Sequence, residues 1–407
     1  MYGFSMFLAP EVWIWGQLRA GRPPGLWHSD PVTTTSTDPT PDFVAETLAV
    51  ASDRIGSQLA VVGEPFPGSR RTLVVRARTS DGSTVVVKRY LGDEGAEAYA
   101  REASALAALA GFGRTPSLVA ECGDPRLVVM DDLGEGQHLA DVLLGADEDR
   151  AAATLAGWAT AVAGLHRAGR QVRDAFEAGV LARSAGPVEL DGLPGLLEAA
   201  ATDWGRLATA LDVPVADGAF DVLTTVPGRL RVDASSLSAA DMCPDNNLVS
   251  DSGLALLDFE FALWRPVVWD AAYLRVPWPT CWCAWSLEAA AADVALGRWR
   301  EEVGKSWPAV LGPDFDHDLD LATEAWAWLA GSWCLAPLVD GEPRRTNPLK
   351  PMPRMPDRVL GLLRTAAAGR ALPELADTAA QLARAVEVTY AATDVPLAPA
   401  FAGGVLR

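Results

Sequence analysis

The stretch from Ser238 to Glu260, SAADMCPDNNLVSDSGLALLDFE, constrains this chain most. Asn247 to Ser250 and Leu254 to Leu257 are short apolar runs joined by the turn-forming Ser250-Asp251-Ser252-Gly253, which predicts a β-hairpin. Asn246 and Asp258 each lie six positions from Ser252. Closing the hairpin therefore sets them opposite each other at its open end, within about 5 Å between Cα atoms. An amide oxygen and a carboxylate meeting there suit a hard cation, and Mg2+ takes such ligands while keeping water and phosphate oxygens in its shell. Asp241, in a Pro-containing loop five residues before Asn246, brings a third acidic group to the same place. Phosphoryl transfer needs both parts: a metal to neutralise phosphate charge, and a carboxylate to orient or deprotonate the attacking hydroxyl.

The upstream sequence predicts a small strand-rich part. Leu73 to Thr79 and Ser83 to Tyr90 are β-branched and separated by Ser80-Asp81-Gly82, whose Asp-Gly is a strong hairpin turn. Before them, Gly63 to Arg70, with Ser69, reads as a loop over phosphates or as a tight connection. Residues 95–110 predict a helix stopped by Gly111 and Gly113. Tyr99, Glu102, Leu106 and Leu109 form its apolar stripe, so Glu102 puts a carboxylate where it is costly unless paired. Lys88 alternates in phase with Val86 and Tyr90 and can supply that partner from one face of the sheet. A solvated Lys88 and a Glu102 at a core edge would fit the same residues.

Leu127 to Met130 predicts a strand that runs into Asp131-Asp132-Leu133-Gly134-Glu135-Gly136, a hinge. Residues 137–170 are strongly helical, with apolar positions at Leu155, Trp158, Val162 and Leu165, and His166 reads as a cap or core residue. The remainder is mostly helical. The parts are thus 42–130, a hinge at 131–136 and a helical part from 137 to 407.

Composition removes several function classes. Lys plus Arg number 34 against 53 Asp plus Glu, a formal net charge of −19, which argues against binding nucleic acid or anionic lipid. No run of 18 apolar residues predicts a membrane-spanning helix. The opening MYGFSMFLAPEVWIWGQL lacks a basic start and carries Pro10 and Glu11, so it does not read as a signal peptide. Residues 1–41 read as an unstructured extension. Five cysteines without framework spacing predict a reduced, cytoplasmic protein without structural disulfides, and Cys281 and Cys283 alone do not make a zinc site. Cys243 reads as a small buried residue.

The D-x-x-x-x-N pattern followed by a D-F-x hairpin, with a strand Lys, a helix Glu and a hinge before it, resembles the aminoglycoside phosphotransferase and choline kinase group of protein-kinase-like enzymes over roughly residues 42–390. The resemblance implies an α+β, bilobal protein-kinase-like fold with a small antiparallel-sheet N-lobe and a large, mainly helical C-lobe. It also implies Asp241 as the catalytic-loop aspartate and Asn246 and Asp258 as Mg2+ ligands. Lys88 would bind the α/β-phosphates, Glu102 would hold Lys88, and backbone near Met130 and Asp131 would bind adenine. The cofactors would be ATP (or GTP) and Mg2+, and the partner a small-molecule hydroxyl acceptor. Only 11 residues separate Asp258 from Asp270, too few for the activation segment of a protein kinase, and Asp270 is expected to be structural.

One departure stands out. Where the family usually has His-Gly-Asp, this chain has Ala239-Ala240-Asp241, which puts loop geometry in doubt. A nucleotide-binding pseudokinase with a regulatory or scaffold role is therefore the alternative, and Ala239→His is expected to raise turnover if the departure is a handicap. Trp278, Trp282 and Trp285 follow the metal hairpin and could stack on a substrate ring, although core packing is the plainer reading. Asp314, Asp316, Asp318, Asp320 and Glu324 could receive a cationic acceptor, or simply favour a helix N-terminus.

Overall fold

Thr40 caps the first helix of the N-lobe. Its hydroxyl accepts from the Phe43 N–H, Pro41 fills the first turn, and helix α1 (Pro41–Ile55) ends at Gly56 with φ 67°. In the computed structural model the described residues are 40–66, 71–184, 186–250, 253–276, 278–281, 283–340 and 351–403. Strands β1 (Ala60–Val61), β2 (Thr72–Arg78) and β3 (Thr84–Tyr90) come next, β2 and β3 joined through the expected turn, where Gly82 takes φ 91°. Helix α2 (Glu94–Ala108) follows, then β4 (Leu118–Gly123), which periodicity did not single out, and β5 (Arg126–Asp131). These strands form one antiparallel sheet in the order β1-β2-β3-β5-β4. Leu48 and Ala51 of α1 pack on one sheet face with Leu73, Val75, Val87 and Val129.

Helix α2 sits between two cores. Tyr99 and Ala103 pack with Tyr90, Val128 and Met130, whereas Ala105, Leu106 and Leu109 join the large core of the C-lobe. A helix gripped from both sides holds its polar residues at a fixed place, and this one carries Glu102.

The C-lobe opens with α3 (Leu139–Leu143), α4 (Glu148–Gly169), α5 (Arg173–Arg183), α6 (Leu193–Ala210) and α7 (Val226–Arg229). Strands β6 (Ser235–Ser238), β7 (Asn247–Ser250), β8 (Gly253–Leu256) and β9 (Leu263–Pro266) make two small antiparallel pairs, β6 with β9 and β7 with β8. Helices α8 (Val268–Ala271), α9 (Ala289–Gly304), α10 (Pro313–Ser332), α11 (Leu335–Asp340), α12 (Met355–Ala368) and α13 (Pro373–Tyr390) complete it. Leu155, Trp158, Val162 and Leu165 of α4 are all buried, as their helical spacing requires. The whole is an α+β fold with a small antiparallel-sheet N-lobe and a large, mainly helical C-lobe.

The register of the β7–β8 hairpin differs from the sequence expectation by one residue. Ser250 pairs with Gly253 and Asn247 with Leu256, a register one residue away from that of a hairpin symmetric about position 252. Leu257, not Asp258, therefore lies opposite Asn246, and its N–H donates to the Asn246 carbonyl at 2.9 Å. Asp258 leaves the strand with φ 61°, a backbone conformation unusual for a residue with a Cβ. The segment that follows β5 packs against this hairpin. Gln137 and Val249 exchange backbone hydrogen bonds at 3.1 and 2.7 Å, and at Gly136 a Cβ would stand 2.4 Å from the Val249 carbonyl oxygen. Only glycine permits that approach.

Candidate active site

Lys88 is the centre of a buried ionic cluster. Its ammonium lies 2.7 Å from Glu102 Oε2, 2.8 Å from Asp258 Oδ1 and 3.0 Å from Glu260 Oε2. Strand β3 points it across to α2, and the loop after β8 delivers Asp258 and Glu260. Burial favours the neutral amine, but the three carboxylates outweigh it and hold the Lys88 pKa well above its ordinary value. Glu102 is fixed further by the Tyr90 hydroxyl and by the Phe259 N–H, the latter at 3.3 Å. Arg71 reaches Glu260 Oε1 at 3.2 Å. Burial and the charge of Asp258 nevertheless push the Glu260 carboxyl up to about 7. Three carboxylates thus share two basic side chains in a buried site, an excess of negative charge that a divalent cation would neutralise.

Asp241 stands in the loop after β6, held by donors from three directions. Its Oδ1 accepts from the Thr280 hydroxyl at 2.5 Å and the Cys243 N–H at 3.2 Å, and its Oδ2 from Asn246 Nδ2 at 3.0 Å. Burial, with the charge of Asp258 adding to it, raises its pKa to about 6 against the pull of these donors. With its amide nitrogen turned to Asp241, Asn246 keeps its amide oxygen for another partner.

The loop before Asp241 carries no histidine, and other groups brace it. Ala240 takes φ 64°, and its carbonyl accepts from Arg265 Nη2 and the Tyr273 hydroxyl, both at 3.0 Å. Tyr273 also lies 3.0 Å from the Thr280 hydroxyl, the two giving their hydrogens to the Ala240 carbonyl and to Asp241 respectively. Behind it, Asp270 accepts from Ser238 Oγ at 3.0 Å and from Arg265, and lies 2.7 Å from His166 Nε2. Trp299 Nε1 donates to His166 Nδ1 at 3.2 Å, so Nε2 carries the hydrogen and gives it to Asp270. Burial works against its charge, but Arg265 and His166 hold Asp270 below the usual carboxylate range. Asp270 is structural, and His166 is a core residue.

The family model described as the phosphotransferase enzyme family matches residues 62–301, which include both constellations. The chain belongs to that family. No curated protein matches it significantly. Among solved structures, a macrolide 2'-phosphotransferase from Brachybacterium faecium is similar at 18% identity over 74% of this chain and 94% of its own, with a TM-score of 0.48. A choline/ethanolamine kinase family protein from Mesorhizobium loti is similar at 15% identity over 85% and 99%, TM-score 0.46. A choline kinase from Streptococcus pneumoniae is similar at 12% over 79% and 98%, TM-score 0.45.

Within this family member, several sequence expectations need correction. Trp278 has no solvent exposure and packs edge-on against Trp158 and Tyr273, while Trp285 is 6% exposed and donates to the Pro351 carbonyl. Neither indole can present a face to a substrate; both are core residues. Trp282 and Ser69 lie outside the described residues. The Asp131 N–H is taken by the Ser117 carbonyl at 3.1 Å and its carboxylate binds Ser117 Oγ, so that N–H is not available to an adenine. Met130 is buried in the β5 ladder beside Val86.

Four members of the acidic run have protein partners. Asp318 accepts backbone N–H groups of Arg231 and Val232, Glu324 those of Ala371 and Leu372, and Asp314 and Asp316 pair with Arg231 and Arg300. This takes Asp314, Asp316, Asp318 and Glu324 out of the case for a cationic acceptor. Cys243 and Cys281 form a disulfide that the sequence spacing did not anticipate, because 38 residues separate them and only the fold brings them together.

Glu260, Arg71, Arg265, Tyr273 and Thr280 were not singled out from the sequence. For Thr280 a signal existed: a hydroxyl between Trp278 and Cys281 in an apolar segment must find a partner.

Proposed function

We propose that this chain transfers a phosphoryl group from ATP or GTP to a hydroxyl of a small molecule, with Mg2+. The convergence of Lys88, Glu102, Asp258 and Glu260 on one buried point, beside Asp241 and Asn246, carries this reading. Asn246 and Asp258 offer an amide oxygen and a carboxylate, hard donors that suit Mg2+, and Glu260 is a third oxygen donor within reach of Asp258. When bound there, Mg2+ would neutralise phosphate charge. Lys88, held by Glu102, would hold phosphate oxygens and fix the nucleotide's position. Asp241 would accept a hydrogen bond from the acceptor hydroxyl and take its proton as the new oxygen–phosphorus bond forms and the bond to the departing nucleoside diphosphate breaks. A carboxylate whose pKa is near 6 is a stronger base than an exposed aspartate and is still ionised at neutral pH.

The test is formation of nucleoside diphosphate and phosphorylated product across a panel of hydroxyl compounds, for wild type and Asp241→Asn. Acceptor-dependent turnover that falls by orders of magnitude in Asp241→Asn, with nucleotide affinity kept, supports the reading. Nucleotide binding with no transfer to any acceptor would favour the pseudokinase.

A further inference from the structure

The disulfide between Cys243 and Cys281 fastens the segment after Asp270 to the catalytic loop, with 5.2 Å between the two Cα atoms. Both ends of this link touch the machinery around Asp241. The Cys243 N–H donates to Asp241 Oδ1 at 3.2 Å, and Thr280, the residue before Cys281, donates its hydroxyl to the same oxygen at 2.5 Å. A third sulfur, that of Cys283, stands within 4.8 Å of both bridged sulfurs. All three cysteines are buried, at 2%, 0% and 2% exposure. Cys122 and Cys334 lie elsewhere and remain thiols, as Cys283 does. A third thiol against a buried disulfide is not needed to keep that disulfide closed, but it is what disulfide exchange requires.

We propose that Cys243, Cys281 and Cys283 form a thiol–disulfide exchange site that decides whether Thr280 is seated on Asp241. The inference rests on the phosphotransfer reading for its effect on rate, though not for its chemistry. In the exchange, the Cys283 thiolate attacks Cys281 Sγ. The Cys283–Cys281 bond forms, the Cys281–Cys243 bond breaks, and Cys243 leaves with the electron pair and picks up the proton lost by Cys283. Nothing is oxidised or reduced overall. Full opening uses a small dithiol, whose two thiols become a disulfide while Cys243 and Cys281 each gain a hydrogen. With the bridge to Cys243 closed, Thr280 is held against the catalytic loop by a covalent link one residue away. With it open, only hydrogen bonds hold it there. In a reducing compartment a disulfide at such a place is a transient, rate-setting bond rather than a staple.

Peptide mapping after rapid alkylation, with transfer kinetics on the same samples, tests this. Protein prepared without reductant is expected to show the 243–281 link plus a population linked through Cys283. Cys283→Ser should abolish that second population and keep the first. Dithiothreitol should lower kcat roughly tenfold or more, the size expected for loss of a hydrogen bond to a charged group, with nucleotide affinity unchanged. Reoxidation should restore it. Cys243→Ser should sit at the reduced rate and ignore dithiothreitol. Full alkylation of all five cysteines without reductant, or a kcat indifferent to dithiothreitol, would overturn the proposal. So would uptake of one Zn2+ per reduced chain lost in Cys283→Ser, which would make the three sulfurs a metal site. Absence of transfer in every redox state would refute the functional reading instead, and the peptide map would still decide the exchange.

Discussion

Thr280 donates its hydroxyl to Asp241 Oδ1 at 2.5 Å across a separation of 39 residues. The contact orients the carboxylate from the side opposite Asn246. Thr280→Val is therefore expected to reduce kcat roughly tenfold or more while leaving nucleotide affinity intact, and Thr280→Ser to retain most of the rate. Steady-state kinetics with nucleotide titrations check both.

Asp241 also carries a stability cost with a definite pH dependence. Its pKa rises from 3.8 to about 6 on folding, so the folded state binds the proton more tightly than the unfolded one. Stability from this group is therefore lost as pH rises from about 4 through about 6, and the deficit persists above that. In metal-free protein, Asp241→Asn should be more stable than wild type by on the order of 2 kcal/mol at pH 8. The gap should close toward pH 4.5. Denaturant melts at the two pH values measure it, and a gap independent of pH would reject the assignment.

Lys88→Met should not be silent for the fold. Two buried carboxylates, Glu102 and Glu260, and the part-buried Asp258 would lose their shared cation and keep only Arg71, at a cost of about 3 kcal/mol or more. The loss should be smaller at pH 6 than at pH 8, because Glu260 already titrates near 7 and is protonated on the acid side. Urea unfolding of both proteins at both pH values decides this.

Mg2+ with nucleotide should raise the melting temperature of the wild type, since a ligand bound only by the folded state stabilises it. Asp258→Ala should remove the Mg2+-dependent part of that rise. An unchanged Mg2+ response in the variant would take Asp258 out of the metal site.

Ala239→His tests the departure at the front of the Asp241 loop. Ala239 is 1% exposed within the main core, and Arg265 and Tyr273 already hold the next carbonyl. The imidazole should overpack the site and destabilise it by about 1–3 kcal/mol without raising transfer. A gain in turnover would show that the loop lacks support after all.

The sequence alone determined the features whose physics is local. Asp81-Gly82 dictates a turn because Gly82 must take a positive φ, and the spacing of Leu155, Trp158, Val162 and Leu165 dictates which face of α4 is buried. The Lys88–Glu102 pair was legible because a carboxylate on an apolar stripe is too costly to leave unpaired and few cations lay in phase with it. Asp241, Asn246 and Asp258 could be grouped because one short hairpin and its loop carry all three. Tertiary structure decided the rest. Arg71 meets Glu260 across 189 residues, Arg265 and Tyr273 brace Ala240, and Cys243 reaches Cys281 only when the segment after α8 folds back over the Asp241 loop. It also decided that Trp278 and Trp285 are core and not platform, since an indole suits either role and only the packing around it determines whether its face meets protein or water. Hydrogen-bond geometry and periodicity act over a few residues and are written in the chain. Burial depends on which distant surfaces meet, and no short stretch of sequence contains that information.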